Sequence, residues 1–112
     1  MNNSILNDIK KLLGIASDYT QFDADLIMHI NTAIAILRQL GIGPVDGYSI
    51  TSASDTWSSL LTEQPALLHE VKTWMGLKVR LIFDPPLNAT VINSMEKQIN
   101  ELEWRISIVL NC

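Results

Sequence analysis

The residues that could perform acid–base catalysis or bind a metal are few and dispersed along the chain. His29 has one acidic neighbour at helical spacing, Asp25, and His69 stands alone. A zinc site needs several convergent His, Cys, Asp or Glu ligands, yet Cys112 is the single cysteine. The sequence also lacks a glycine-rich phosphate loop and a Gly-x-Ser-x-Gly elbow. We therefore expect no catalytic residue, no metal and no cofactor.

A group of cations leaves one enzymatic alternative open. A small helical-bundle enzyme would hold a dianionic substrate if several cations pointed into one cavity. Lys78 is predicted to lie on the apolar face of its helix, which is unusual for a cation, but a lysine stem that covers apolar surface explains this equally well. Binding of a small dianion to the monomer would distinguish this enzyme from a structural protein. The candidate cations are Arg38, Lys78, Arg80 and Arg105.

The net charge of −4 is distributed unevenly. Arg38 is the only cation between Lys11 and Lys72, whereas acidic residues recur throughout that stretch. A protein that binds nucleic acid by neutralising phosphates needs clustered Lys and Arg. We therefore expect no surface that grips DNA.

Apolar residues at helical spacing predict an all-α protein, a compact bundle of about four helices in a single domain, residues 1–112. The first helix is capped by Asn3 or Ser4 and ends at Gly14. The second is capped by Asp23 and ends at the glycines of "QLGIGP".

The third helix is predicted to lie at the centre of the bundle. It begins at Pro65, and its apolar residues cover more of the circumference than a surface helix requires. It ends near Phe83 because the two prolines of "FDPPLNA" lack N–H donors. Asn88 or Thr90 then caps a fourth helix with apolar residues at heptad spacing. The facing stripes predict a core of Ile9, Leu13, Ile30, Ile34, Leu37, Val71, Trp74, Met75, Ile99, Leu102 and Ile106.

The segment 43–62, between the second and third principal helices, has no helical periodicity and is rich in Gly, Pro, Asp and Ser. Such a composition predicts a long exposed loop. Tyr48, Ile50 and Trp57 lie in this loop and are candidate contacts with a partner, although Trp57 would most simply pack onto its own domain.

Two helices have a second apolar face. Met28 and Ala35 lie opposite the main stripe of the second helix, and Trp104 and Ile108 point away from the heptad stripe of the fourth. A methionine at helical spacing more often fills space in the core, so a core position is the alternative interpretation of Met28. Because only 18% of residues are charged, these faces indicate surfaces that neighbouring molecules cover.

In the order of these elements, the chain resembles the small head–tail connector proteins of long-tailed bacteriophages and prophages. The resemblance covers nearly the whole length. It rests on "SILNDIKKLLGI", "FDADLIMHINTAIAILRQLGIGP", "VKTWMGLKVRLIFDPP" and "MEKQINELEWRI". These are patterns of helix, loop and proline stop, so no catalytic or metal residue is carried over from the family.

The resemblance implies compact antiparallel helices with a protruding loop, and a structural role. It implies a homo-oligomeric ring, dodecamer-like in the virion, that continues the DNA channel from the portal protein to the next neck or tail-completion protein. The segments expected to contact ring neighbours, the portal and the next neck protein are then the loop from Pro44 to Leu61 and the C-terminal helix. The expected location is the virion neck, after synthesis in the host bacterial cytoplasm, with no membrane partner. The alternatives are a DNA-packaging accessory protein and the small helical-bundle enzyme.

Overall fold

The computed structural model of the protein describes residues 4–110, and that range contains helices but no strand. The all-α fold predicted from the sequence is therefore confirmed. Within the described range, no helix is both long enough and apolar enough to cross a membrane. A 3-10 turn, Pro65–Leu67, leads into the fourth of five α-helices, which are α1 (Ile5–Leu12), α2 (Asp23–Leu40), α3 (Trp57–Leu60), α4 (Leu68–Phe83) and α5 (Ala89–Leu110).

Polar side chains and a glycine set several helix ends where the sequence predicts them. Ser4 Oγ accepts a hydrogen bond from the backbone N–H of Asn7 at 3.1 Å. Asn88 Oδ1 accepts one from the N–H of Thr90 at 2.8 Å. These bonds satisfy donors that have no partner within the first turn of a helix. Gly41, with a φ of 101°, ends α2 in the left-handed region that favours glycine.

The prediction that Asp23 caps α2 is wrong. Asp23 is the first helical residue, and its Oδ1 lies 2.8 Å from Nζ of Lys10 in an ion pair. Lys10 is only 1% exposed and also donates a hydrogen bond to the carbonyl oxygen of Ser17 at 3.0 Å. Oδ1 of Asp23 has no hydrogen bond of good geometry, so its attraction to Lys10 is mainly coulombic. Because an unpaired buried charge is costly, Asp23 serves Lys10 and not the helix end.

Helix α4 lies at the centre of the bundle, as predicted, and packs against α1, α2 and α5. Trp74, Met75 and Val79 on this helix are fully buried. Gly76 allows α1 to approach closely, since a Cβ added there would lie 2.7 Å from Cδ1 of Leu12. The helix ends at Phe83, just before the two prolines.

The core matches the predicted residues closely. All are buried except Leu13 and Leu102, which are half-buried and pack against the core. Segment 43–62 adds residues that sequence periodicity did not place in the core. They are Ile50, Trp57, Leu60 and Leu61.

We predict that Trp74→Ala lowers the free energy of unfolding by about 3–5 kcal/mol, the usual cost of truncating a buried aromatic side chain. Trp74 is 0% exposed, and its indole Nε1 donates to Oε2 of Glu103 at 2.9 Å. Trp104→Ala is the matched control, because Trp104 is 64% exposed. Urea denaturation of both variants measures the difference. Equal stability of the two variants would contradict the core assignment.

Candidate functional site

The end of the 43–62 segment is fastened to the bundle through one carboxylate. Trp57 is 1% exposed, and its indole Nε1 donates a hydrogen bond to Oδ2 of Asp8 on α1 at 2.8 Å. Nζ of Lys72 on α4 lies 3.1 Å from the same oxygen and 5.8 Å from the centre of the Trp57 ring. Asp8 therefore links α1, α4 and the loop.

The middle of the same segment is held by an amide. Asn31 on α2 accepts from the N–H of Ile50 at 2.7 Å and donates to its carbonyl oxygen at 3.0 Å. Both backbone groups of Ile50 are thus satisfied while its side chain is 1% exposed. Ile50, predicted to lie in an exposed loop, is therefore buried, whereas Trp57 packs onto its own domain, as its simplest interpretation predicted. Polar groups on α1 and α2 hold both residues in the core.

Tyr48 lies half-buried at the edge of this anchored segment. Burial raises the pKa of its hydroxyl above the ordinary value of 10.0, and the carboxylate of Asp55 adds to the rise, while hydrogen bonds to Ser59 and Thr56 oppose it. Tyr48 keeps a partly accessible side chain, so it remains a candidate contact.

The predicted second faces of α2 and α5 are exposed in the structure. Met28 is 59% exposed, and Ala35, two turns later, is exposed as well. Trp104 and Ile108 lie one turn apart on α5 and are 64% and 42% exposed. Tryptophan is among the residue types that dominate the binding energy of many protein contacts. Their role as interface residues stays a prediction.

A groove between α1, α4 and α5, with a volume of about 630 Å³, was not foreseen from the sequence. We call it the basic groove. Leu12, Val91 and Met95 supply apolar lining, and Leu12 and Val91 are 54% and 44% exposed. The charged lining comprises Lys11, Lys72 and Arg80 against the single carboxylate of Asp8.

The sequence contained one signal of this groove. Lys72 and Arg80 are eight positions apart on α4, and the small residues Thr73 and Gly76 lie between them. A helix with cations flanking small residues leaves room for a cleft, but only the tertiary packing of α1 and α5 creates its walls.

The cations proposed for a dianion site do not form one cluster. Arg38 donates to the carbonyl oxygen of Val45 at 3.1 Å. Lys78 lies 4.0 Å from a carboxylate oxygen of Glu103 on α5, and Arg80 lines the basic groove. The fourth, Arg105, lies 3.3 Å from Oε2 of Glu101 in an exposed pair along the same helix. Three of the four thus have separate local partners.

The histidines also occupy different environments. The ring of His29 lies 6.4 Å from that of Phe83, centre to centre, while His69 lines the basic groove. In the part of the chain that the structure describes, no group of three or more His, Cys, Asp or Glu side chains is arranged to hold a metal ion.

The described chain thus combines an all-α bundle with polar loop anchors and exposed apolar faces. The sequence profile of the phage connector protein family matches residues 5–111, nearly the whole chain. The chain therefore belongs to the phage connector protein family, which is a family of structural proteins. No curated protein and no solved structure matches it.

We predict that Tyr48 makes the protein lose stability in alkaline solution. Its pKa is raised in the folded state above the value of 10.0 that the unfolded chain has. The folded state therefore binds more protons at high pH, so this contribution is intact below 10.0 and is lost as the pH rises through the folded pKa.

Urea denaturation of the wild type and of Tyr48→Phe, from neutral pH to above 10.0, measures this effect. The two chains differ only at position 48, so the comparison isolates the effect of the Tyr48 hydroxyl. The wild-type free energy of unfolding should fall more steeply than that of the variant. Parallel curves would contradict the prediction.

Proposed function

We propose that this connector protein forms a homo-oligomeric ring below the portal protein of the DNA-filled head and joins it to the next neck or tail-completion protein. The ring extends the channel through which DNA leaves the head. Membership of the connector family over residues 5–111 supports a connecting role, and the ring, the portal and the position in the virion neck are the parts that this proposal adds.

One observation carries the proposal, the exposed apolar face of α5. Trp104 and Ile108 lie on the solvent side of the last helix, whose opposite side closes the bundle through Met95, Ile99 and Ile106. Trp104 is 64% exposed, and covering its apolar surface with a partner would stabilise the complex. The face is thus suited to a contact with the portal or a neighbouring subunit.

The charge distribution supports a channel that DNA traverses without being held. The chain has 12 acidic residues against 8 Lys and Arg. Three of the cations, Lys10, Lys72 and Arg105, lie within 3.3 Å of carboxylate oxygens. Ion-paired cations contribute less to phosphate binding than free ones. A DNA-packaging accessory protein would need a larger unpaired basic surface.

We predict that Trp104→Ser with Ile108→Ser leaves the fold intact but blocks attachment to heads. Both side chains are exposed, so their loss removes little core packing. The assay adds purified protein to filled heads from phage that lack it and counts heads joined to tails. Leu87→Ser is the matched control, because Leu87 is fully exposed outside α5.

The control should join heads to tails at the wild-type yield. If the double variant folds normally and also reaches the wild-type yield, the α5 face is not the contact. If the wild type itself restores no joining, the proposed function fails.

We predict that the purified protein retains double-stranded DNA weakly and without sequence preference, even at low salt. The negative net charge disfavours approach to phosphates. A gel-shift titration over a range of salt concentrations measures the retention. Tight binding that falls steeply with salt would favour the packaging-protein alternative.

A further inference from the structure

The basic groove carries unpaired positive charge beside exposed apolar side chains. Within residues 4–110, neither Lys11 nor Arg80 has a carboxylate at ion-pair distance, whereas Lys72 is paired with Asp8. Leu12 and Val91 present apolar surface between these charges. The groove therefore fits a partner surface that combines carboxylates with apolar side chains.

The same chain presents such a surface elsewhere. We call it the acidic-aromatic face, and it lies on the α1–α2 connection and the start of α2. Tyr19 and Phe22 are 45% and 36% exposed, and their ring centres are 5.7 Å apart. Phe22 also packs edge-on against Phe83 of α4 at 5.3 Å, so the rings are held in place.

Carboxylates flank these rings without a compensating charge. Asp18 and Asp25 are exposed, and within the described chain neither has a cation at ion-pair distance. Met28, one turn after Asp25 on α2, extends the apolar part of the face and is 59% exposed. The face thus has carboxylates and apolar groups, as the groove requires.

We propose that the basic groove of one copy binds the acidic-aromatic face of a second copy. Charge complementarity between two unlike surfaces of one chain favours this occupant, since each surface leaves its charges unpaired in the single copy. Contact between two different surfaces is heterologous and continues from copy to copy, which is what a ring requires. This inference rests on the proposed ring and names the contact that builds it.

Charge-reversal variants test the contact. The groove variant carries Lys11→Glu with Arg80→Glu, and the face variant carries Asp18→Lys with Asp25→Lys. Sedimentation velocity up to millimolar concentration measures self-association of the full chain, and circular dichroism checks each fold. Each variant alone should weaken self-association by about tenfold or more, because like charges then meet across the contact.

Mixing the groove variant with the face variant tests whether the two surfaces bind each other. The groove variant keeps an intact face and the face variant keeps an intact groove, so these two surfaces can bind each other. The two altered surfaces, an acidic groove and a basic face, are also complementary. An equimolar mixture should therefore regain the self-association that each variant loses alone. A chain with all four reversals should regain self-association, because its charges are exchanged but still complementary. The single changes Lys97→Glu and Glu63→Lys are exposed controls outside both surfaces and should associate like the wild type.

Several results would overturn the inference. A wild type that stays monomeric at millimolar concentration, or a groove variant that self-associates normally, would show that the groove does not take a second copy. Loss of head binding alone in the groove variant would assign the groove to the portal, and loss of DNA retention alone would assign it to DNA. In these cases head–tail joining by the wild type would still uphold the proposed function, which the complementation assay tests separately.

Discussion

Helix α4 has apolar side chains around much of its circumference. Burying this apolar surface from water is favourable, and α1, α2 and α5 pack against α4 and cover it. Trp74, Met75 and Val79 face into these contacts and are fully buried. At Gly76 α1 approaches α4 closely, because this position has no Cβ to meet the side chain of Leu12. The inner faces of α2 and α5 pack against α4, while Met28 on α2 and Trp104 and Ile108 on α5 face outward.

Polar groups fix the parts that the apolar core does not. Asp8 joins the loop to α1 and α4, Asn31 holds the backbone of Ile50, and Lys10 ties α1 to the start of α2. These are charged or amide groups with buried or half-buried partners, so loss of one member leaves the other unsatisfied. The 43–62 segment is therefore bonded to the bundle at more than one point.

Features set by local sequence were predictable, and features set by distant contacts were not. Helical periodicity placed Trp74 in the core and Trp104 on the surface, and the prolines after Phe83 fixed the end of α4. The hydrogen bond from Trp57 to Asp8, 49 positions away, is a contact that no local pattern reveals. The basic groove likewise needs three helices to meet, and the sequence contained only the spacing of its cations on one of them.

The contrasting surroundings of the three tryptophans give the protein its own optical reporter. Trp57 and Trp74 are buried, and each donates its indole N–H to a carboxylate, whereas Trp104 is 64% exposed on the outer face of α5. Collisional quenchers in solution reach an exposed indole and are excluded from buried ones. Quenchable fluorescence therefore reports on the α5 face, while the unquenched emission reports on the folded core, without any attached label.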